Sequence, residues 1–84
     1  MDSGGIQRKI ERGIPGARVE VAGEDAHFSA LVVSPAFEGK SRVEQHQMVY
    51  ALLREEMASE AVHALQLRTC TPAELEREMR PQER

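Results

Sequence analysis

The sequence has little cysteine, little aromatic content and no excess of basic charge. Its one cysteine, Cys70, cannot form an intramolecular disulfide, and one thiol cannot alone build a zinc site or hold an iron–sulfur cluster. Aromatic residues make up 4% of the chain, which leaves few side chains on which bases could stack. Acidic side chains outnumber basic ones by 14 to 11, for a net charge of −3. This balance argues against a sequence-independent grip on nucleic-acid phosphates, which requires a basic excess.

Long apolar segments are absent as well. No apolar run approaches the roughly 20 residues that cross a membrane. Residues 1–5 lack the basic start and the apolar core of a signal peptide. A single cysteine also fits a reducing compartment. We therefore expect a soluble, cytoplasmic protein that does not associate with membranes.

The chain length of 84 residues predicts one domain over 1–84, with flexible ends at 1–5 and 80–84. A chain this short leaves little room for an enclosed substrate cavity. The sequence offers no Ser-His-Asp arrangement, no glycine loop for phosphate and no general acid–base pair. Its carboxylates are typical of solvated helix surfaces. We predict that the protein is not an enzyme.

The predicted order of elements is α-β-β-α-β-α. Capping patterns mark the helix starts, and alternating or continuous apolar segments mark the strands. The caps are Ser3, Ser41 with Glu44, and Thr71 with Glu74. The predicted elements are a helix at Ser3–Arg12, strands at Arg18–Ala22 and Ala26–Ser34 joined by the loop Gly23–Asp25, a long helix at Arg42–Ser59, a strand at Val62–Thr69 and a helix at Pro72–Met79 ended by Pro81.

The connections between these elements predict a three-stranded mixed sheet. The short first loop joins antiparallel strands, whereas the crossover that contains the long helix joins parallel ones. The result is an α+β fold with helices on one face of the sheet. The long helix is expected to direct one apolar stripe at the core, formed by Val43, His46, Val49, Tyr50, Leu53 and Met57 and widened by Leu52.

The three histidines are the candidate metal ligands. His63 shares its strand parity with Leu65 and Leu67, which places it at the mouth of their face, where a neutral imidazole could bind a soft or borderline metal. His27 begins the second strand, and His46 lies on the stripe of the long helix, where a half-buried structural role is expected. No spacing between them is diagnostic of a metal site, and a lone histidine at a strand end is more often structural.

Two further features are ambiguous from the residues alone. Cys70 precedes a helix start, a position that can lower a thiol pKa, but no base adjoins it and a packing role is expected. Gly39-Lys40-Ser41-Arg42 is comparable to the GXXG loop of KH domains, with Arg42 in place of the second glycine. A side chain there should impede close approach of a nucleic-acid backbone, and Gly39 is expected to need a backbone conformation that penalises side chains.

Taken together, these segments resemble the BolA family, and they are closest to its YrbA-like (IbaG-like) bacterial branch. The match runs from about Ile6 to Arg77, nearly the whole chain, in the right order and spacing. The matching segments are His27-Phe28 with Leu31-Val32-Val33-Ser34, Phe37-Glu38-Gly39-Lys40-Ser41, Val43-Glu44-Gln45-His46-Gln47-Met48-Val49-Tyr50, Val62-His63-Ala64-Leu65-Gln66-Leu67 and Thr71-Pro72-Ala73-Glu74-Leu75.

The resemblance implies a class II KH-like fold and a partner, a monothiol (CGFS-type) glutaredoxin. In that family the two proteins share a [2Fe–2S] cluster, for which the glutaredoxin cysteine and glutathione supply thiolates. The histidine that the BolA-type protein supplies matches His63. The resemblance thus implies an adaptor in iron–sulfur assembly, trafficking or iron sensing, with no cofactor in the isolated protein and a link to stress response.

Three departures from the family pattern bear on the site. Family members often carry a Cys or His in the first inter-strand loop, and His27 at the exit of this loop is the nearest substitute as a second ligand. Leu75 replaces the family's usual Trp. Gln45-His46-Gln47 replaces Arg-His-Arg, which removes two positive charges from a helix sometimes proposed to touch DNA.

An alternative function stays open. The family also invites a KH-like, nucleic-acid-binding transcriptional regulator, for which Lys40, Arg42 and Arg54 would be the contacts. Under this alternative we expect weak binding of nucleic acid. Whether the free protein forms a homodimer is open under either function.

Overall fold

The computed structural model describes residues 2–80. The helices are α1 (Ser3–Gly13), α2 (Arg42–Leu52), α3 (Arg54–Ala58) and α4 (Pro72–Met79), and the strands are β1 (Arg18–Glu24), β2 (His27–Val33) and β3 (Ala64–Cys70), with a 3₁₀ turn at Pro35–Phe37. Residues 3–5 form the first turn of α1. Met1, residues 81–84 and therefore the predicted helix stop at Pro81 lie outside the described residues.

The three strands form one mixed sheet in the order β1-β2-β3. β1 and β2 are antiparallel, and β2 and β3 are parallel, which confirms the predicted α+β topology. Side chains on one face of the sheet pack against α1 and the α2–α3 segment. The buried apolar cluster comprises Ile6, Ile10, Ile14, Val19, Phe28, Val32, Phe37, Val49, Leu53 and Val62.

The turn between β1 and β2 is tighter than the sequence indicated. Glu24 pairs with His27, so Asp25 and Ala26 alone form the turn. Both have positive φ angles, 55° and 67°, which is the conformation of a type I′ hairpin turn. The predicted loop Gly23–Asp25 is therefore wrong, because Gly23 and Glu24 belong to β1. Ala26 was placed in the second strand, but it lies in the turn.

The helix starts follow their capping residues, with one correction. The predicted capping boxes at Ser41 and Thr71 are both confirmed. The cap of α1 is Asp2 rather than Ser3, since Asp2 Oδ1 accepts a hydrogen bond from the Gly5 N–H at 2.7 Å. Asp is as strong an N-cap as Ser, and Ser3 is then the first residue of the helix.

The predicted long helix is divided at Leu53. This residue has φ −110° and ψ 17°, and its N–H donates to Tyr50 O, so the helical conformation is interrupted there and α3 begins at Arg54. Leu53 itself is fully buried. Three residues predicted on the core stripe are exposed, Val43 by 65%, Tyr50 by 36% and Met57 by 36%, so their predicted place in the core is wrong.

Gln45 takes the buried position that the sequence assigned to Val43. Its side-chain amide N–H groups donate to Phe37 O at 3.3 Å and Lys40 O at 3.0 Å. Its Oε1 accepts from Thr69 Oγ1 at 2.8 Å. A buried amide is tolerated when its donors and acceptor are paired in this way. Gln45 therefore ties α2 both to the Gly39 loop and to β3.

Helix α4 lies apart from the other helices. Arg68 and Glu78 form an ion pair, and Arg68 extends from the sheet face opposite the core. Leu75 and Met79 line a cleft together with Leu31 and Val33, whose side chains leave the same opposite face. The open face of the sheet is thus partly bordered by α4 near the ends of β2 and β3.

An ion pair connects α1 to the segment that precedes β3. Lys9 on α1 donates to Glu56 Oε2 on α3, and this hydrogen bond lowers the pKa of Glu56. The backbone carbonyl of Glu56 in turn accepts the Val62 N–H at 3.0 Å. Contacts with α1 and α3 therefore help to hold the segment that leads into β3, which includes His63.

Candidate metal-ligand site

The structure brings His27 and His63 together at one end of the sheet. His27 pairs with Ala64 across the parallel strands, which places it beside His63. The ring centroids are 5.5 Å apart, with the ring planes inclined by 72°. Both residues are exposed. We refer to these two residues as the histidine pair.

His63 does not occupy the position predicted for it. β3 begins at Ala64 rather than Val62 and extends to Cys70, so His63 lies just before the strand. Its backbone N–H donates to Ala26 O at 2.8 Å, and the Ala64 N–H donates to the same oxygen at 3.0 Å. This shared carbonyl fixes the backbone of His63 against the β1–β2 turn. The side chain is exposed.

The same turn orients the ring of His27. His27 Nδ1 lies 2.9 Å from Asp25 O. A carbonyl oxygen only accepts, so Nδ1 donates in this hydrogen bond, and in the neutral ring Nε2 is then the nitrogen with the lone pair. Ligating imidazoles are commonly oriented in this way, by a hydrogen bond from the ring nitrogen that does not bind the metal.

Gly23 allows β1 to approach the histidine pair closely, a role that sequence reasoning missed. A Cβ atom at Gly23 would lie 2.2 Å from His27 O and 2.8 Å from Phe28 Cα. Gly23 also has a φ of +129°, which side chains rarely allow. The only signal in the sequence was a glycine beside a turn.

The ring separation of the histidine pair is compatible with binding of both imidazoles to one metal ion. Two imidazoles bound to a single tetrahedral ion at about 2.0–2.1 Å place their ring centroids roughly 5 Å apart. The observed 5.5 Å is close to that separation. Within residues 2–80 no group of three or more His, Cys, Asp or Glu side chains could hold a metal ion. Within residues 2–80 the histidine pair thus supplies two ligands, and further protein ligands would have to come from a second molecule.

Cys70 is remote from the histidine pair. It ends β3, whose other end adjoins His63, and six residues of strand separate the two by roughly 20 Å. Its side chain is buried, and burial raises the pKa of the Cys70 thiol. The packing role expected for Cys70 fits this position, and the lowered pKa that a helix start can produce is not observed.

His46 lies apart from the other two histidines. It is half-buried on α2, where its ring meets the Tyr50 ring edge-on at a centroid separation of 6.3 Å. Its Nε2 atom is buried and has no hydrogen-bond partner within residues 2–80. The half-buried position agrees with the structural role expected from the sequence.

The three candidate nucleic-acid contacts occupy different surroundings. Arg42 donates to Thr69 O and Gln45 Oε1 and lies 3.6 Å from Glu74, so its guanidinium binds the protein itself. Lys40 is exposed beside Gly39, and Arg54 is exposed at the start of α3. No observation tests their role, which stays a prediction. Gly39 does have the expected left-handed conformation, with φ +78°.

Fold and site together define a small α+β domain that presents two imidazoles at the end of a mixed sheet. A family model described as BolA-like protein matches residues 9–74. The chain therefore belongs to the BolA-like family. No helix in the described part of the chain has the length and apolar character to cross a membrane.

Relatives and solved structures agree with this assignment. The chain is 35% identical over 78 residues to acid stress protein IbaG of Escherichia coli, covering 93% of each chain, which confirms the expected bacterial branch. It is similar to the structure of a bolA protein homologue from Coxiella burnetii, with a TM-score of 0.80, 39% identity, and coverage of 90% of this chain and 97% of that one. It is also similar to the BolA domain of SufE1 from Arabidopsis thaliana, with a TM-score of 0.74, 38% identity, and coverage of 86% and 93%.

Proposed function

We propose that this protein is a non-enzymatic adaptor that pairs with a monothiol (CGFS-type) glutaredoxin and supplies imidazole ligands to a shared [2Fe–2S] cluster. It would act in the cytoplasm in iron–sulfur assembly, trafficking or iron sensing. The observation that carries the proposal is the histidine pair, two exposed rings 5.5 Å apart at one end of the sheet. The resemblance to the BolA family supplies the partner, and likeness to a relative named an acid stress protein supports a link to stress.

The donor set supports a shared site rather than one held by this chain alone. His63 and His27 offer two nitrogen ligands, and the sole thiol is buried at the far end of β3. Thiolates would therefore come from the partner, through the glutaredoxin cysteine and its glutathione. Thiolate on one iron and imidazole on the other is the mixed ligation of Rieske-type clusters, and it raises the reduction potential above that of all-thiolate clusters.

His63 is the principal ligand in this proposal and His27 the second. The carbonyl of Asp25 holds the proton of His27 on Nδ1, which directs the Nε2 lone pair to a metal. The carbonyl of Ala26 holds the backbone of His63 at the same turn. Because both carbonyls belong to one two-residue turn, the His27 ring and the His63 backbone should need little rearrangement on binding.

A non-enzymatic role is supported by the chemistry around the histidine pair. The group that orients His27 is a backbone carbonyl rather than a carboxylate or a nucleophile. The nucleophile with the greatest intrinsic reactivity, the Cys70 thiol, is buried and has a raised pKa, which disfavours the reactive thiolate.

Co-expression with a monothiol glutaredoxin tests the proposal through visible absorption and circular dichroism of the purified complex. The wild-type pair should give a coloured complex with a mixed-ligand spectrum. His63→Ala should remove that spectrum and leave the all-thiolate spectrum of a glutaredoxin dimer. Because His63 is exposed, folding should survive the substitution.

Two further variants complete the experiment. His27→Ala should give a spectrum different from both the wild type and His63→Ala if it is the second ligand. His46→Ala removes the same side chain at a distant site and should leave the mixed-ligand spectrum unchanged. A wild-type spectrum from a folded His63→Ala complex would exclude His63 as a ligand.

A further inference from the structure

We propose that the histidine pair is also half of a binding site for a borderline divalent transition-metal ion, and that a second copy of this chain supplies the other half. The ligands would be His27 and His63 from each copy. This inference does not rest on the proposed function, because it involves only this chain and a metal ion.

The ring separation of the histidine pair is already compatible with chelation of one ion. The ring centroids are 5.5 Å apart, against the roughly 5 Å expected for two imidazoles on one tetrahedral ion. The backbone carbonyls of Asp25 and Ala26 fix the His27 ring and the His63 backbone respectively. Imidazole nitrogen suits zinc, copper and nickel ions, which defines the class of ligand.

The site is incomplete within one copy of the chain. Closed zinc sites take four protein ligands, and no group of three or more metal-binding side chains exists within residues 2–80. A two-fold axis through the ion would present an identical histidine pair from a second copy and complete a four-imidazole site. Both rings are exposed, and the adjoining turn has only two residues, so little protein obstructs such an approach.

The charge around the histidine pair favours a metal-dependent association. Glu24 and Asp25 flank His27 and are exposed. Two copies meeting here without a cation would bring four carboxylates together, and the net charge of −3 on each chain adds to the repulsion. A divalent cation reduces this repulsion at the point of contact. The free protein should therefore stay monomeric until metal is added.

A shared metal ion and a shared cluster would compete for the same residues. If His63 binds zinc between two copies, it is not free to face a glutaredoxin. Excess zinc would then remove the adaptor from its partner by mass action.

The test uses untagged, metal-free protein with Zn²⁺ alone, followed by chelator-competition titration and sedimentation velocity. The expected result is about 0.5 Zn²⁺ bound per chain, with conversion from monomer to dimer that a chelator reverses. His63→Ala and His27→Ala should each weaken Zn²⁺ binding more than tenfold and abolish the dimer, since each removes two of the four ligands. His46→Ala should behave as wild type.

Co²⁺ provides a second measurement, which reads the coordination of the ion directly instead of the size of the particle. The wild-type protein should develop the intense visible bands of four-coordinate Co²⁺, and the two ligand variants should not. Binding of one Zn²⁺ per chain without dimerisation would overturn the inference. So would an unchanged His27→Ala protein or no binding at all. None of these results depends on whether the glutaredoxin complex forms.

Discussion

Replacing Gly23 by alanine is expected to destabilise the fold and to disturb the histidine pair. The added methyl would lie 2.2 Å from His27 O and 2.8 Å from Phe28 Cα. Both atoms belong to the backbone of β2, so only movement of the strand can relieve the contact. Backbone conformations reserved for glycine cost other residues about 1–3 kcal/mol, and overpacking costs about 1–3 kcal/mol more. The expected loss is about 2–6 kcal/mol in a domain whose total stability is of order 4–13 kcal/mol.

Gly39→Ala is the matched control, because it is the same substitution at another glycine with positive φ. Nothing lies within 4 Å of a Cβ atom at Gly39, so only the left-handed conformation is penalised. We expect a loss of about 1 kcal/mol there. Urea unfolding followed by far-UV circular dichroism measures both variants. Equal losses in the two variants, or wild-type stability for Gly23→Ala, would refute the close-contact argument.

Three other predictions concern stability and reactivity. The hydrogen bond from Lys9 lowers the pKa of Glu56, so this carboxylate stabilises the fold above its ordinary pKa and loses that contribution as the pH falls. Urea titrations at a series of pH values should therefore show a smaller acid-induced loss of stability in Lys9→Met than in wild type, and equal slopes would contradict the prediction. Because burial raises the pKa of Cys70, an aromatic disulfide reagent should react with it much more slowly in the native than in the urea-unfolded protein. Equal rates would mean that the thiol is accessible. Thr71→Ala removes the cap of α4 and should lower the free energy of unfolding by about 1 kcal/mol. This corresponds to a melting temperature lower by about 4–8 °C. An unchanged melting temperature would show that α4 does not contribute to the stability of the fold.

The topology could be predicted from the sequence because its signals are local. The capping boxes at Ser41 and Thr71 locate two helix starts, and the lengths of the connections distinguish the antiparallel from the parallel strand pair. The helix break at Leu53 had no such signal, since neither Gly nor Pro is near it and tertiary packing determines it. The burial of Gln45 depends on partners at Phe37 and Thr69, which are distant in the sequence.

The histidine pair could be predicted only in part. His27 begins β2 and His63 immediately precedes β3, and the two parallel strands start at the same edge of the sheet. That inference places the two residues at one edge, but their separation depends on the register. The turn beside them could not be recognised from the sequence. Alanine rarely adopts a positive φ, so Asp25-Ala26 is not a typical type I′ turn sequence.

The most direct test of the central claim is whether a nitrogen atom from this chain binds iron. The chain, labelled with ¹⁵N-histidine, would be combined with an unlabelled monothiol glutaredoxin, and the cluster would be reduced and examined by pulsed electron paramagnetic resonance. We predict a strongly coupled ¹⁵N nucleus in the wild-type complex that is absent in His63→Ala and retained in His46→Ala. A reduced cluster without ¹⁵N coupling from this chain, or one whose coupling survives His63→Ala unchanged, would contradict the account.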